Sequence, residues 1–341
     1  MEFAPGQDAL VCPFCGAENR IHAEGTVEEQ DLLGYFERLE NAAPHTNVTS
    51  VTCGACGATP TVPPNATSFS CPFCGSNIVA KANECSVIKP HAVLPFKMTR
   101  EQATQAFRAW LKKLWWAPGK LKKQSLLDAA LTGIYLPHFT YDADATTDYT
   151  GERGEAYYET QWVTVNGRRQ ARQVRKVRWY PASGRVFNRF DDILVPATTS
   201  LEPERVRDLT PWDLAECVPY RDEYVAGFRA ERYTVGLKEG FAEAQQRMAP
   251  VIDSTIRADI GGDEQRIHRR HTVYGALTFK HLLLPIWVSA YRYNGKVYSF
   301  LVNARTGEVQ GHRPYSAWKI SLAVVAAIVF ILVLAYTFSR A

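Results

Sequence analysis

Basic side chains are nearly missing from the first quarter of this 341-residue sequence: residues 1–80 hold Arg20 and Arg38 against nine acidic residues, a balance of −7. From Asn41 to Ala80 there is no charge of either sign. A polyanion needs lysine and arginine near its phosphates, so this segment is a poor nucleic-acid binder. The chain also lacks G-x-x-x-x-G-K-[ST], H-E-x-x-H, G-x-S-x-G and any dinucleotide fingerprint, which removes positive support for an enzyme. Asp191-Asp192 could bind a cation, but neighbours in a strand point to opposite faces. No apolar leader follows Met1, so reduced thiols and a cytosolic setting are expected. Long apolar runs are absent too, until the last one.

That run, ISLAVVAAIVFILVLAYTF from Ile320 to Phe338, has nineteen uncharged residues. At 1.5 Å per residue it would reach about 28 Å, close to the hydrocarbon thickness of a bilayer. The sequence therefore predicts a single C-terminal transmembrane helix over 315–341, flanked by Arg313, Lys319, Tyr315 and Trp318. It also predicts a tail-anchored protein whose body faces the cytoplasm.

Six of the eight cysteines lie in C-x-x-C pairs. Cys53-Gly-Ala-Cys56 and Cys71-Pro-Phe-Cys74 each end in glycine and are separated by fourteen residues, a shade below the usual range for two zinc knuckles, with VPPNATSF between them as a short hairpin. Four sulfurs close the coordination sphere, so one structural Zn²⁺ is expected in a ribbon over 48–87, in a rubredoxin-like arrangement. The redox alternative for CPFC needs the second cysteine to run into a helix, and no helical period follows Cys15 or Cys74. The first pair, Cys12 and Cys15, lies in an N-terminal segment (1–47) that offers no second pair. Three readings stay open: an unmetalled vestige, a site using His22 or His45, and a site shared between two chains. Cys85 and Cys217 read as buried structural thiols.

Positive charge is concentrated further on, in a body over 88–314 expected to be mixed α+β and rich in antiparallel hairpins. Thr99-Arg100-Glu101-Gln102 is a capping box opening an amphipathic helix. WLKKLWWAPGKLKK continues it, read as an aromatic core stripe with solvated lysines in preference to a membrane contact. Asn166-Gly167 and Asn294-Gly295 predict hairpins, and Lys238 to Ile260 a helix kinked at Pro250. Leu136-Pro137 echoes Leu284-Pro285. Arg168, Arg169, Arg172, Arg175, Lys176 and Arg178 share one strand with no acid among them, a candidate surface for an anionic partner or a solvated edge.

CPFCGSNIV, HAVLPFKMTREQA, IYLPHFTYDA, WYPASGRVFNRFDDILVPA, IRADIGGDEQRI, LLLPIWVSAYRYNGKVYSFLVNARTGEV and the final helix together resemble a bacterial family of ribbon-plus-membrane-helix proteins. These are labelled as like primosomal protein N′ or as bearing the zinc ribbon of transcription factor IIB. The resemblance covers nearly all of the chain from Cys53 onward. It implies a membrane-bound member of phage-shock-type stress systems with PspA-like and SPFH-domain partners. The expectation is a non-enzymatic, zinc-binding adaptor that recruits such partners to the bilayer, and the alternative is a membrane-tethered nucleic-acid-binding protein.

Overall fold

A computed structural model of the chain describes residues 1–22, 25–39, 45–61, 68–79, 83–114, 131–165, 168–293, 296–311 and 317–340. The short strands come first: β1 Glu2–Phe3, β2 Ala9–Val11, β3 Glu18–Arg20, β4 Gln30–Asp31, β5 His45–Ser50, β6 Ser68–Ser70, β7 Asn77–Val79, β8 Asn83–Ile88 and β9 Ala92–Val93. Two long strands follow, β10 Thr132–Val165 and β11 Arg168–Pro196, then β12 Val218–Pro219, β13 Arg229–Ala230, a third long strand β14 Glu264–Tyr293, β15 Lys296–Asn303 and β16 Val309–Gly311. The longer helices are α1 Leu32–Leu39, α2 Arg100–Lys113, α3 Leu237–Ile260 and α4 Ala317–Arg340.

The main sheet runs in the order β11-β10-β14-β15-β16 with every one of these neighbours antiparallel, while the two-residue strands β13 and β9 join β10 and β14 in parallel. Both Asn-Gly pairs fall between the antiparallel strands they predict, and the turn residues themselves, 166–167 and 294–295, lie outside the described residues. The Leu-Pro echo has a geometric counterpart: Leu136 pairs with Leu284, Tyr135 with Pro285 and Pro137 with Leu283. A proline in a central strand forfeits a ladder donor, and here the carbonyls beside the gap are used instead. Ala197 donates to Pro137 O at 2.9 Å and Ala304 to Pro285 O at 3.1 Å.

α3 lies across one face of the long strands because Ala244, Met248, Ile252, Ile256 and Ile260 recur every four residues and all are buried. They meet Phe139, Tyr141, Ala143, Tyr149, Val186 and Phe190. The helix runs on through Pro250 and stops at Gly261, whose φ of +66° suits a residue without Cβ. On α2 the capping box forms as expected, with Gln102 N donating to Thr99 Oγ1 at 3.3 Å and Thr99 N to Gln102 Oε1 at 2.9 Å. Its Phe107 stacks on Phe300 of β15 with centroids 3.6 Å apart. The rest of the Trp110–Lys123 run, 115–123, lies outside the described residues.

Two expectations about fold class need correction. Strand outweighs helix, so the molecule is mostly antiparallel sheet with a zinc-ribbon cluster, not a balanced α+β body. Among the described residues, moreover, no helix is long and apolar enough to cross a membrane. The apolar C-terminal run does form α4, whose side chains are described continuously from Ser321 to Leu332. The transmembrane and tail-anchored expectations are not borne out.

Candidate metal centre

Each C-x-x-C pair sits in the same backbone turn. Gly57 N donates to Cys53 O at 2.9 Å and Cys53 N to Ala58 O at 2.8 Å; Gly75 N donates to Cys71 O at 2.8 Å and Cys71 N to Ser76 O at 2.7 Å. Gly57 and Gly75 have φ of +76° and +71°, which a side chain would strain. The turn aims backbone N–H groups at sulfur: those of Phe73 and Cys74 at Cys71, and that of Ala58 at Cys56. Such donors offset thiolate charge around a metal.

The two turns converge. Cys53 and Cys74 place their sulfurs 3.7 Å apart, as do Cys56 and Cys71, and all four lie within 4.8 Å of one another. Zn–S bonds of about 2.3 Å in a tetrahedron require sulfur separations of about 3.8 Å, so the donor set fits Zn²⁺ and leaves no open position. Residues 49–83 match the family model of the FORGETTER1 second zinc ribbon domain. This segment is a zinc ribbon.

An uncharacterized protein, YdjG of Bacillus subtilis (strain 168), is 25% identical over 241 residues, covering 69% of this chain. The chain in turn spans 66% of that relative's length. No solved structure matches.

Electrostatics show why the ribbon needs its metal. Burial pushes the Cys71 thiol up to about 12 and raises that of Cys56 as well. At Cys74 burial is again the largest single influence and opposes ionisation, but hydrogen bonds from Ser76, Cys56 and Cys53 together outweigh it and bring the thiol down to about 7. Four thiolates this close are held together by the charge of Zn²⁺.

The ribbon is joined to the body at its core. Cys53, Cys71, Phe73 and Ile78 pack with Ile134, Leu136, Ile286, Val288 and Leu301 of the main sheet. Thr61 donates to Ala230 O through both its N–H (3.2 Å) and its hydroxyl (2.9 Å), while Arg229 reaches Ser70 O at 3.1 Å and stacks over Phe69. The uncharged surface of the ribbon is thus partly used by this chain's own body. Residues 62–67, which hold most of the VPPNATSF interval, lie outside the described residues.

The first knuckle is folded without a partner. Cys12 N donates to Ala17 O and Gly16 N to Cys12 O, both at 2.9 Å, and Gly16 has φ +73°. Among the described residues no further ligand forms a group with Cys12 and Cys15. His22 is exposed and its backbone O accepts from Arg221, while His45 and Cys85 have no described side chain. Cys217 is mostly covered, and burial pushes its thiol up to about 12.

The six cations do share β11, but the pairing splits them. Arg172, Lys176 and Arg178 lie at even positions, on the face that α3 covers further along; Arg169 and Arg175 lie on the other, with Trp162 and Tyr158. Arg168 opens the strand, and its side chain is not described. Lys176 pairs with Glu159, Arg175 with Glu264 at 2.5 Å, and Arg178 stands over Tyr157. They do not form one uniform patch.

Two features escaped the sequence reading. Carboxylate oxygens of Glu29, Asp142 and Asp191 cluster within 4.8 Å, brought together where a register shift lies between Tyr141 and Ala143. Lys280 bonds Glu29 at 3.1 Å and Asp192 at 2.7 Å, so its ammonium already supplies positive charge there. The second is a cavity of about 190 Å³ lined by Lys89, Tyr220, Glu231, Tyr233 and His281. Burial pushes His281 down to about 3, which keeps it neutral at physiological pH.

Proposed function

We propose that the protein is a non-enzymatic adaptor whose zinc-locked body presents the β10–β11 arm to an acidic partner protein. One observation carries this reading. The third strand leaves the sheet at the pair Gly154–Glu264, yet β10 and β11 continue together from Glu155–Arg178 to Val165–Arg168. Eleven residue pairs at about 3.3 Å each give an arm of about 36 Å with solvent on both faces.

An arm of this kind buries little and stabilises nothing, so its length is best explained by recognition. Arg169 and Arg172 are exposed and have no carboxylate partner among the described residues. Exposed cations steer association with acidic surfaces and raise the on-rate at low salt. The PspA-like and SPFH-domain proteins implied by the family resemblance are the first partners to test.

A second reading has an observation of its own. Trp162 and Tyr158 share a face with Arg169 and Arg175, and aromatic rings alternating with guanidinium groups form a stacking platform for single-stranded nucleic acid. Binding of the intact chain to a glutamate-rich peptide and to a single-stranded oligonucleotide of equal charge separates the two. The adaptor reading expects the peptide to bind more tightly, with the preference lost in R172E/K176E/R178E. Tighter oligonucleotide binding, lost in W162A/Y158A, would replace it.

A further inference from the structure

The motif CPFCG occurs twice, and the two copies meet opposite fates. At Cys71 the turn closes on a second knuckle and its Phe73 is 4% exposed, packed in the core under the ribbon. At Cys12 the same turn, with the same two backbone hydrogen bonds, ends in open solvent with Phe14 97% exposed. Even the sulfur cradle is repeated: the N–H groups of Phe14 and Cys15 point at Cys12 as those of Phe73 and Cys74 point at Cys71. The free knuckle therefore has the ligand-ready geometry of the closed one and lacks only what would face it.

We propose that Cys12 and Cys15 form half of a tetrahedral Zn²⁺ site whose other half is the same pair in a second copy of this chain. A tetrahedral zinc site takes four ligands, and the knuckle supplies two sulfurs. About a two-fold axis one surface meets itself, so two identical pairs complete the set without any other protein.

Three features of this chain suit that arrangement. The hairpin tip is held rigidly at its base, where Phe3 and Leu10 join the body core and Phe3 N donates to Ala226 O at 2.9 Å. Residues 13–20 are exposed without interruption, so a second knuckle can approach. Although residues 1–80 are acidic as a whole, the tip from Ala9 to Arg20 carries one acid, Glu18, and one base, Arg20, so two tips meet without net repulsion. The two Phe14 rings would cover each other beside the metal, as Phe73 is covered in the closed ribbon.

The test counts metal atoms and chains together. The intact protein is equilibrated with zinc and stripped of loosely held metal, then its zinc content and its mass in solution are measured. The expected result is three zinc ions per dimer. The double variant C12S/C15S should fall to one zinc per chain and become monomeric at the same concentration, with the ribbon intact. In F14A the dimer should dissociate at lower dilution while the three-to-two stoichiometry holds in the dimer that remains. One zinc per chain in the unmodified protein would overturn the proposal by making the first knuckle a vestige. Two per chain would overturn it as well, by requiring ligands from within each chain.

Discussion

Glu231 is 3% exposed on a strand edge that touches the ribbon, and Thr198 Oγ1 donates to it at 3.0 Å while Ser200 holds its other oxygen. Burial is the main influence on its carboxyl and, against hydrogen bonds from Ser200, Thr198 and Thr59, pushes it from an ordinary 4.5 up to about 7. Between those values the folded chain holds a proton that the unfolded chain has released, so the stabilising contribution is complete below pH 4.5 and lost as pH rises through 7. The whole effect is about 3 kcal/mol, of which about 1 kcal/mol falls between pH 6 and 8, where the zinc thiolates persist. Glu231→Gln should flatten that part of the profile in urea titrations; an unchanged slope would mean the carboxyl is already ionised. At the metal, Cys71→Ser should release the ribbon zinc and abolish amide protection in residues 49–83, whereas Cys12→Ser should leave that protection untouched. The ribbon ligands were legible because four sulfurs at knuckle spacing have one economical arrangement. Glu231 was not, since nothing in Ala-Glu-Arg announces burial.

At the scale of elements, α3 and the arm make opposite predictions. Gly240 lies on the buried side of α3, where a Cβ would come within 2.5 Å of Tyr141 Oη, itself bonded to Leu237 O at 2.8 Å. Alanine usually gains about 1 kcal/mol over glycine inside a helix. Here the clash should win, and Gly240→Ala should lower stability by about 1–3 kcal/mol, read as a drop in the denaturation midpoint at constant slope. Replacing 157–176 with a two-residue turn should, by contrast, leave that midpoint within about 0.5 kcal/mol, because the removed side chains are mostly exposed, and should eliminate peptide binding. The capping box, the strand pairs flanking each Asn-Gly and the repeat of α3 were readable because each depends on neighbours in sequence. The lengths of β10, β11 and β14 were not: where both faces are wet, apolar alternation disappears and only pairing keeps the strand. The same dependence on pairing divided what looked like one basic stripe into two faces.

For the molecule as a whole, the ribbon is a wall of the core, since its cysteines pack directly on β10, β14 and β15. Removing zinc with a strong chelator should therefore lower the unfolding temperature of the entire body, not merely melt residues 49–83 as a separate transition. Two resolved transitions would show that the ribbon and sheet fold independently. The sequence marked the ribbon's metal but not its seat, because docking depends on Ile134, Leu136 and Ile286, which are distant in sequence. The arm has the opposite relation to the core. A two-stranded ribbon with no third layer is marginal in water, so its order must decline with distance from Gly154, where β14 and the end of α3 last support it. Hydrogen exchange should accelerate steadily from pair 154–179 to pair 164–169, giving the molecule a gradient from solid to yielding along a single sheet. A partner that grips the tip would pay for that ordering once and, in exchange, receive an interface that adapts to its shape.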